Sequence, residues 1–336
     1  MFCVYVSNAE SGDISVLHLD PRERTLVAVQ TVQVGGEVMP LALSPDRRRL
    51  YAARRSEPRE ALSFAIDPRN GRLTPLGAAP LPHSMAYIAT DRTGRYLLSA
   101  SYGGNQIAVN AMDANGVAQA TQQVLPTGPN AHAIQADPSN RFVFASTLGA
   151  GVVVQLRFDA ASGQLTPNTP PTLQPHAQAS PRHFVFSRDA RFVYLLGELD
   201  GAIDVLAFDS TTGTLQPLQT LSSLPPGFSG APWASDLHLT PNGRFLYSSE
   251  RRSDTLAAFR VDPASGMLTL IGHVPTETQP RGFNITPDGR FLIAAGQRSH
   301  RLRLYEIDGA TGALQALAEC PAGQGPNWVE SIMLES

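Results

Sequence analysis

Histidine, arginine and glutamate recur at two fixed registers of this sequence, and those registers locate its candidate chemistry. A turn that ends in arginine and runs into an apolar stretch occurs six times, at Arg48, Arg95, Arg141, Arg191, Arg244 and Arg290. Nine residues before these arginines stand Met39, Ala86, His132, Arg182, Ser235 and Arg281, and seven residues after them stand Arg55, Tyr102, Leu148, Glu198, Arg251 and Gln297. Imidazole and carboxylate can move a proton near neutral pH. Guanidinium stays charged and grips a carboxylate, a phosphate or a developing oxyanion through a planar fork. One His, one Glu and up to four Arg at equivalent positions suit a small anionic ligand and a reaction such as ester hydrolysis by water.

The residues that are missing narrow the chemistry further. All 26 basic residues are arginine, so Schiff bases, lysine general bases and the P-loop lysine are excluded. There is no Gly-x-Ser-x-Gly elbow and no dinucleotide fingerprint. No two histidines lie at a ligand spacing such as His-x-x-x-His, and arginines would oppose a bound cation. The expectation is therefore no metal and no cofactor, with water or a group of the substrate as nucleophile.

The elements that must carry these side chains follow from a second periodicity. An apolar alternation closing in aspartate appears seven times, ending at Asp20, Asp67, Asp113, Asp159, Asp209, Asp262 and Asp308, at spacings of 47, 46, 46, 50, 53 and 46 residues. Five of the seven continue into Gly-x-Leu, the mark of a strand entering a hairpin. Each arginine turn joins two more short strands, as between His183–Phe186 and Phe192–Leu196. Four antiparallel strands per repeat, here A to D, and seven repeats predict an all-β, seven-bladed β-propeller. The chain starts in mid-blade, with Cys3–Ser7 as strand B, Ile14–Leu19 as C and Leu26–Val34 as D. Strand A of that blade is expected from Trp328–Leu334, which closes the ring and leaves no open seam. Residues 1–336 then form a single domain. The two registers fall where strand A begins and strand B ends, on one rim of the central channel. Charges there are costly to bury without a purpose.

Composition bounds the remaining possibilities. With 42% hydrophobic and 16% charged residues the chain can bury a large core. A net charge of −3 argues against nucleic-acid affinity, two cysteines exclude a disulfide framework, and no apolar run is long enough to span a membrane. The opening Met1–Val6 lacks the basic flank of a signal peptide, so a cytoplasmic monomer is expected. The turn arginines and closing aspartates read as structural, being repeated in every blade. His18, His83, His176 and His273 read as surface or loop residues, His183 and His238 as channel residues or satisfied core histidines with the core reading preferred, and Trp233 and Trp328 as packing between blades. Asp236, at the start of a strand A, joins Arg55, Tyr102, Arg251 and Gln297 as a candidate substrate contact.

At these residues the chain resembles the seven-bladed propeller lactonases. The likeness is carried by Ser44-Pro45-Asp46, Gly197-Glu198-Leu199, Trp233-Ala234-Ser235-Asp236-Leu237-His238, Pro275 to Asn284, Ile293 to Gln297 and the closing Gly323 to Trp328. It covers essentially the whole chain. The resemblance implies hydrolysis of a sugar δ-lactone, with 6-phosphogluconolactone foremost. Similarity to the related fungal carboxymuconate-lactonising enzyme implies roles for His132, Arg182, Glu198 and Arg281, the residues the repeat register isolates independently. A lactonising cycloisomerase is the alternative enzyme, and a non-catalytic propeller platform the alternative of another class.

Overall fold

The computed structural model describes residues 1–335. Among them every regular element is a strand, and the strands form seven four-stranded antiparallel sheets in the expected order A-B-C-D. The inner strands are Pro326–Met333 in blade 1, Val38–Leu43 in blade 2, Tyr87–Thr90 in blade 3 and Ala131–Ala136 in blade 4. Pro181–Phe186, Ala234–Leu239 and Pro280–Ile285 are the inner strands of blades 5, 6 and 7.

Each sheet is apolar on both faces and must bury both. Seven apolar clusters result, one at every blade interface, for example Tyr194, Val205, Leu246 and Phe259 between blades 5 and 6. The repeated polar residues tie the same interfaces together. All seven closing aspartates accept the backbone N–H two residues on, at 2.8 to 3.0 Å. Strand-B tyrosines donate to the next blade's C–D turn, Tyr5 to Gly71, Tyr51 to Gly116, Tyr194 to Gly266 and Tyr247 to Gly312, at 2.9, 2.9, 3.0 and 2.8 Å. The turn arginines Arg141, Arg191, Arg244 and Arg290 lie over the aromatic ring that follows each, with the guanidinium carbon 5.0 to 5.4 Å from the ring centre. Their structural reading holds. Gly213 shows why these turns need glycine: its φ is +70°, and a Cβ would lie 2.1 Å from the Phe142 ring of the preceding blade.

Ring closure is as the repeat register requires. Strand Phe2–Asn8 pairs with Pro326–Met333 from Phe2↔Met333 to Asn8↔Pro326. Asn327 pins the joint by donating to the carbonyls of Ser7 and Val38 at 3.1 and 3.3 Å. Deleting residues 325–336 removes a central strand whose Val329 and Ile332 are buried. With total stabilities of ~5–15 kcal/mol the ring cannot absorb that loss. The truncated chain is expected to lose its cooperative thermal transition; a melt like that of the full chain would refute the closure.

Candidate active site

Strand A starts irregularly in five blades. Blades 2, 4, 5, 6 and 7 each break register there, between Val38 and Leu41, Ala131 and Ala133, Pro181 and Phe184, Ala234 and Leu237, and Pro280 and Gly282. Such bulges interrupt the alternation of side chains and re-aim one or two of them. In blades 4 to 7 the re-aimed residues are His132, Arg182 with His183, Ser235 with Asp236, and Arg281.

Glu198 organises the cluster from the end of strand B. Its Oε2 accepts from Arg182 Nε at 2.7 Å and lies 3.7 Å from His132 Nε2. Its Oε1 accepts from Trp233 Nε1 at 2.9 Å and meets Arg251 Nη2 at 3.2 Å. Arg251 stacks on Trp233, 3.9 Å from the ring centre, and its Nε donates to the Trp233 carbonyl at 3.0 Å. Arg182 also donates through Nη1 to the Ser235 carbonyl. At 2% and 4% exposure, Arg182 and Arg251 are locked before any ligand arrives. Arg281 is half-buried, and among the described residues its guanidinium pairs with no carboxylate. Three arginines thus surround one carboxylate, an excess of two positive charges in a cup sheltered from water.

That imbalance sets the protonation states. Burial works against the Glu198 charge, but Arg182 and Arg251 outweigh it and hold the carboxyl below its usual range. Burial, reinforced by Arg182, His183, Arg281 and Arg251, drives the pKa of His132 well below the ordinary histidine value. His183 is pushed down to about 4 by burial and Arg182, against the opposing pull of Asp236. Both imidazoles are neutral at pH 7.

Below the arginines the channel is crossed by rings. Tyr87, His183 and Trp328, from blades 3, 5 and 1, meet with centroids 5.2 to 5.6 Å apart. Beyond this floor the opposite mouth opens into a cavity of about 300 Å³ lined by Arg47, Arg92 and Glu330. His183 Nδ1 lies 2.8 Å from Asp236 Oδ1, and His238 Nε2 lies 3.2 Å from Asp236 Oδ2. Asp236 also accepts from the Phe283 N–H at 3.2 Å. Burial disfavours its charge, but the two histidines prevail and its pKa falls. Two buried ring nitrogens, His132 Nδ1 and His183 Nε2, have no hydrogen-bond partner. Each such orphan costs ~1–3 kcal/mol, which marks a place built for something else.

A family model described as the seven-bladed β-propeller lactonase matches residues 3–331. The chain belongs to this family. Among curated lactonases it is 42% identical over 332 residues to a protein of Pectobacterium carotovorum named 6-phosphogluconolactonase, with 99% of each chain covered. A protein of the same name from Serratia proteamaculans is 40% identical over 329 residues, with 98% of each covered. The solved periplasmic gluconolactonase of Pseudomonas aeruginosa superposes with a TM-score of 0.92 at 29% identity, covering 99% of both chains.

Within this lactonase the structure gathers His132, Arg182, Glu198, Arg251 and Arg281 around one cup. Tyr102 stands edge-on to His132 with centroids 5.9 Å apart and is 37% exposed. Arg55 sits on the rim, held by Ser84 Oγ at 2.8 Å and Glu37 at 3.4 Å, near enough to bear on Arg281. Gln297 instead accepts from the Gln279 side chain at 2.9 Å. Three expectations need correction. Trp233 is no mere packing residue, since it holds both Glu198 and Arg251. His183 is not a satisfied core histidine, because its buried Nε2 has no hydrogen-bond partner. His176 is more than a loop residue: its Nδ1 lies 3.0 Å from Asp204 and its Nε2 3.1 Å from Asp200, fastening the segment that leads into Pro181–Phe186. A bulge or a cross-blade pair leaves no periodic signal, so the sequence does not reveal them.

Proposed function

We propose that the protein hydrolyses a sugar δ-lactone, 6-phospho-D-glucono-1,5-lactone foremost, to the open-chain acid. The observation that carries this reading is the excess of two positive charges in the cup, formed by Arg182, Arg251 and Arg281 around Glu198. A phosphoryl group of about −1.5 to −2 charge would balance it. The names borne by the relatives at 40–42% identity support the same substrate class.

The roles follow from which atoms remain free. Glu198 has both oxygens engaged, so it serves to align Arg182 beside His132. His132, kept neutral by burial and the surrounding arginines, acts as general base. Water oxygen bonds to the lactone carbonyl carbon as its proton passes to His132, and the oxyanion forms against the guanidinium of Arg182, whose plane is already fixed. Collapse breaks the bond from that carbon to the ring oxygen, which takes the proton back from His132. The acid product ionises and releases one proton to solvent. Arg281, with no carboxylate partner, holds the phosphate, helped by Arg55; Tyr102 and Gln297 meet sugar hydroxyls. A phosphorylated lactone is an anion that does not cross a bilayer, which supports action in the cytoplasm, and closure of the ring within one chain supports a monomer.

The test compares hydrolysis of 6-phosphogluconolactone and unphosphorylated gluconolactone above their spontaneous rates. Arg281→Lys keeps the charge but loses the fork, so kcat/KM for the phosphorylated lactone should fall by ~10-fold or more, with gluconolactone changed by less than ~3-fold. Equal slowing of both lactones by ~10²–10³ would move Arg281 to the oxyanion. No activity of the wild-type chain on either lactone would overturn the reading.

A further inference from the structure

We infer that the far mouth of the channel is a second binding site, for a small sugar acid, an anion that also carries hydroxyl groups. The inference goes beyond the lactone-hydrolase reading and does not depend on it, because the site lies on the other side of the aromatic floor. The cavity there measures about 300 Å³, the lower end of the range in which proteins hold small molecules. Its inner end is closed by Tyr87 and Trp328, edge to face with centroids 5.2 Å apart. Two residues further along each inner strand the side chains face the channel again. There Ala42 and Ala89 leave room on blades 2 and 3, while Gln135 and Glu330 line the wall from blades 4 and 1.

Two arginines also line this cavity, and both depart from the repeat. The residue before each turn arginine has a positive φ, between 56° and 74°. It is Gly94, Asn140, Ala190, Gly243 or Gly289 in five blades, and Arg47 in blade 2. Arg92 occupies the place of Pro45, Pro138, Pro241 and Pro287 in four other blades. It donates through Nε and Nη2 to the carbonyls of Asp137 and Ala136 at 3.1 and 2.6 Å, which fixes its plane and leaves Nη1 free. Among the described residues neither guanidinium has an ion-pair partner, and the adjacent Asp91 carboxylate is engaged by Thr93, Tyr96 and Asn140.

The other polar groups of the wall suit hydroxyls. Gln135 spends both amide hydrogens, on the Tyr87 hydroxyl at 2.9 Å and the Phe184 carbonyl at 2.7 Å. Its own carbonyl is thus open to accept, and the Tyr87 proton is free to be donated. Glu330 accepts from Trp328 Nε1 and Asn284 Nδ2, each at 3.2 Å. Burial raises its pKa, and Arg47 is near enough to oppose that rise. A bare anion would leave these groups unused, and a neutral sugar would leave two guanidinium ions unmatched. A sugar acid answers both, with its carboxylate or phosphate at the arginines and its hydroxyls along the wall.

Equilibrium dialysis with radiolabelled gluconate tests the site. The wild-type chain should bind it saturably below ~10 mM. Arg47→Gly gives blade 2 the residue that blades 3, 6 and 7 carry, so its Tm should stay within ~3 °C and its lactone kinetics within ~2-fold of wild type. The gluconate Kd of this site should rise by ~10-fold or more, and likewise in Arg92→Gln, whereas Arg281→Lys should change it by less than ~3-fold. Should either variant fail to fold, the other decides alone. No saturable binding to the wild-type chain overturns the site. So does binding that is unchanged in both variants, and a loss in Arg281→Lys would then place gluconate in the cup. Inorganic phosphate held at the Arg47-dependent site as tightly as gluconate would overturn the sugar-acid class. A wild-type chain without lactonase activity touches the reaction alone and leaves this result standing.

Discussion

His132→Asn is expected to lower kcat by ~10²–10⁴-fold while KM moves by less than ~3-fold. The amide keeps a polar side chain there but cannot take a proton from water. The wild-type pH profile provides the companion measurement. The neutral imidazole is the active form, and activity is lost as pH falls through the folded-state pKa. Burial and the surrounding arginines lower that pKa for His132 well below its ordinary value, and His183 is down at about 4. Initial rates, corrected for spontaneous hydrolysis, should therefore stay level from pH 8 to below 6 and decline only in more acid solution. A limb centred near ~6.5, the value of an unperturbed histidine, would show that neither imidazole is held neutral by the cup.

Glu198→Gln is expected to damage stability and activity together. The substitution keeps shape but leaves Arg182 and Arg251, at 2% and 4% exposure, without their counter-charge. Breaking one side of a buried ion pair costs ~3–5 kcal/mol. An unfolding entropy of ~2.1 cal/mol/K per residue over 336 residues is ~0.7 kcal/mol/K, so the Tm should drop by ~4–7 °C. The carboxylate also aligns Arg182 and His132, and kcat should fall by ~10²-fold or more. Inorganic phosphate should raise the Tm of the variant more than that of the wild type, since an anion then supplies the missing charge. An unchanged Tm with normal kinetics would remove Glu198 from the centre of the site.

Much of this architecture is legible in one dimension because a propeller is a repeat. Blade number, strand order and the closing role of Trp328–Leu334 follow from spacing, since each blade must bury both faces against a copy of itself. The same register places His132, Arg182, Glu198, Arg251 and Arg281 on one rim, because equivalent positions in a closed ring are brought to equivalent places around one axis. The turn arginines and aspartates are equally readable: every closing aspartate caps its own turn, and five of the six arginines lie over the aromatic ring that follows, while Arg48 meets the Glu335 carboxylate.

The sequence by itself determined the ring and the list of charges that face its channel; tertiary structure alone decided how those charges pair. Glu198 lies within hydrogen-bond reach of Arg182, Arg251 and Trp233, residues from two blades separated by up to 53 positions in the chain. His183 and Asp236 lie one residue beyond the repeat register, where alternation turns a side chain away from its neighbour's direction. They enter the channel because strand A bulges between Pro181 and Phe184 and between Ala234 and Leu237. A bulge arises from how one strand must bend to fit those beside it, and pairing across the axis depends on distances between blades. Neither is a property of local spacing, which is why the charges can be counted from the sequence and the bare nitrogens cannot.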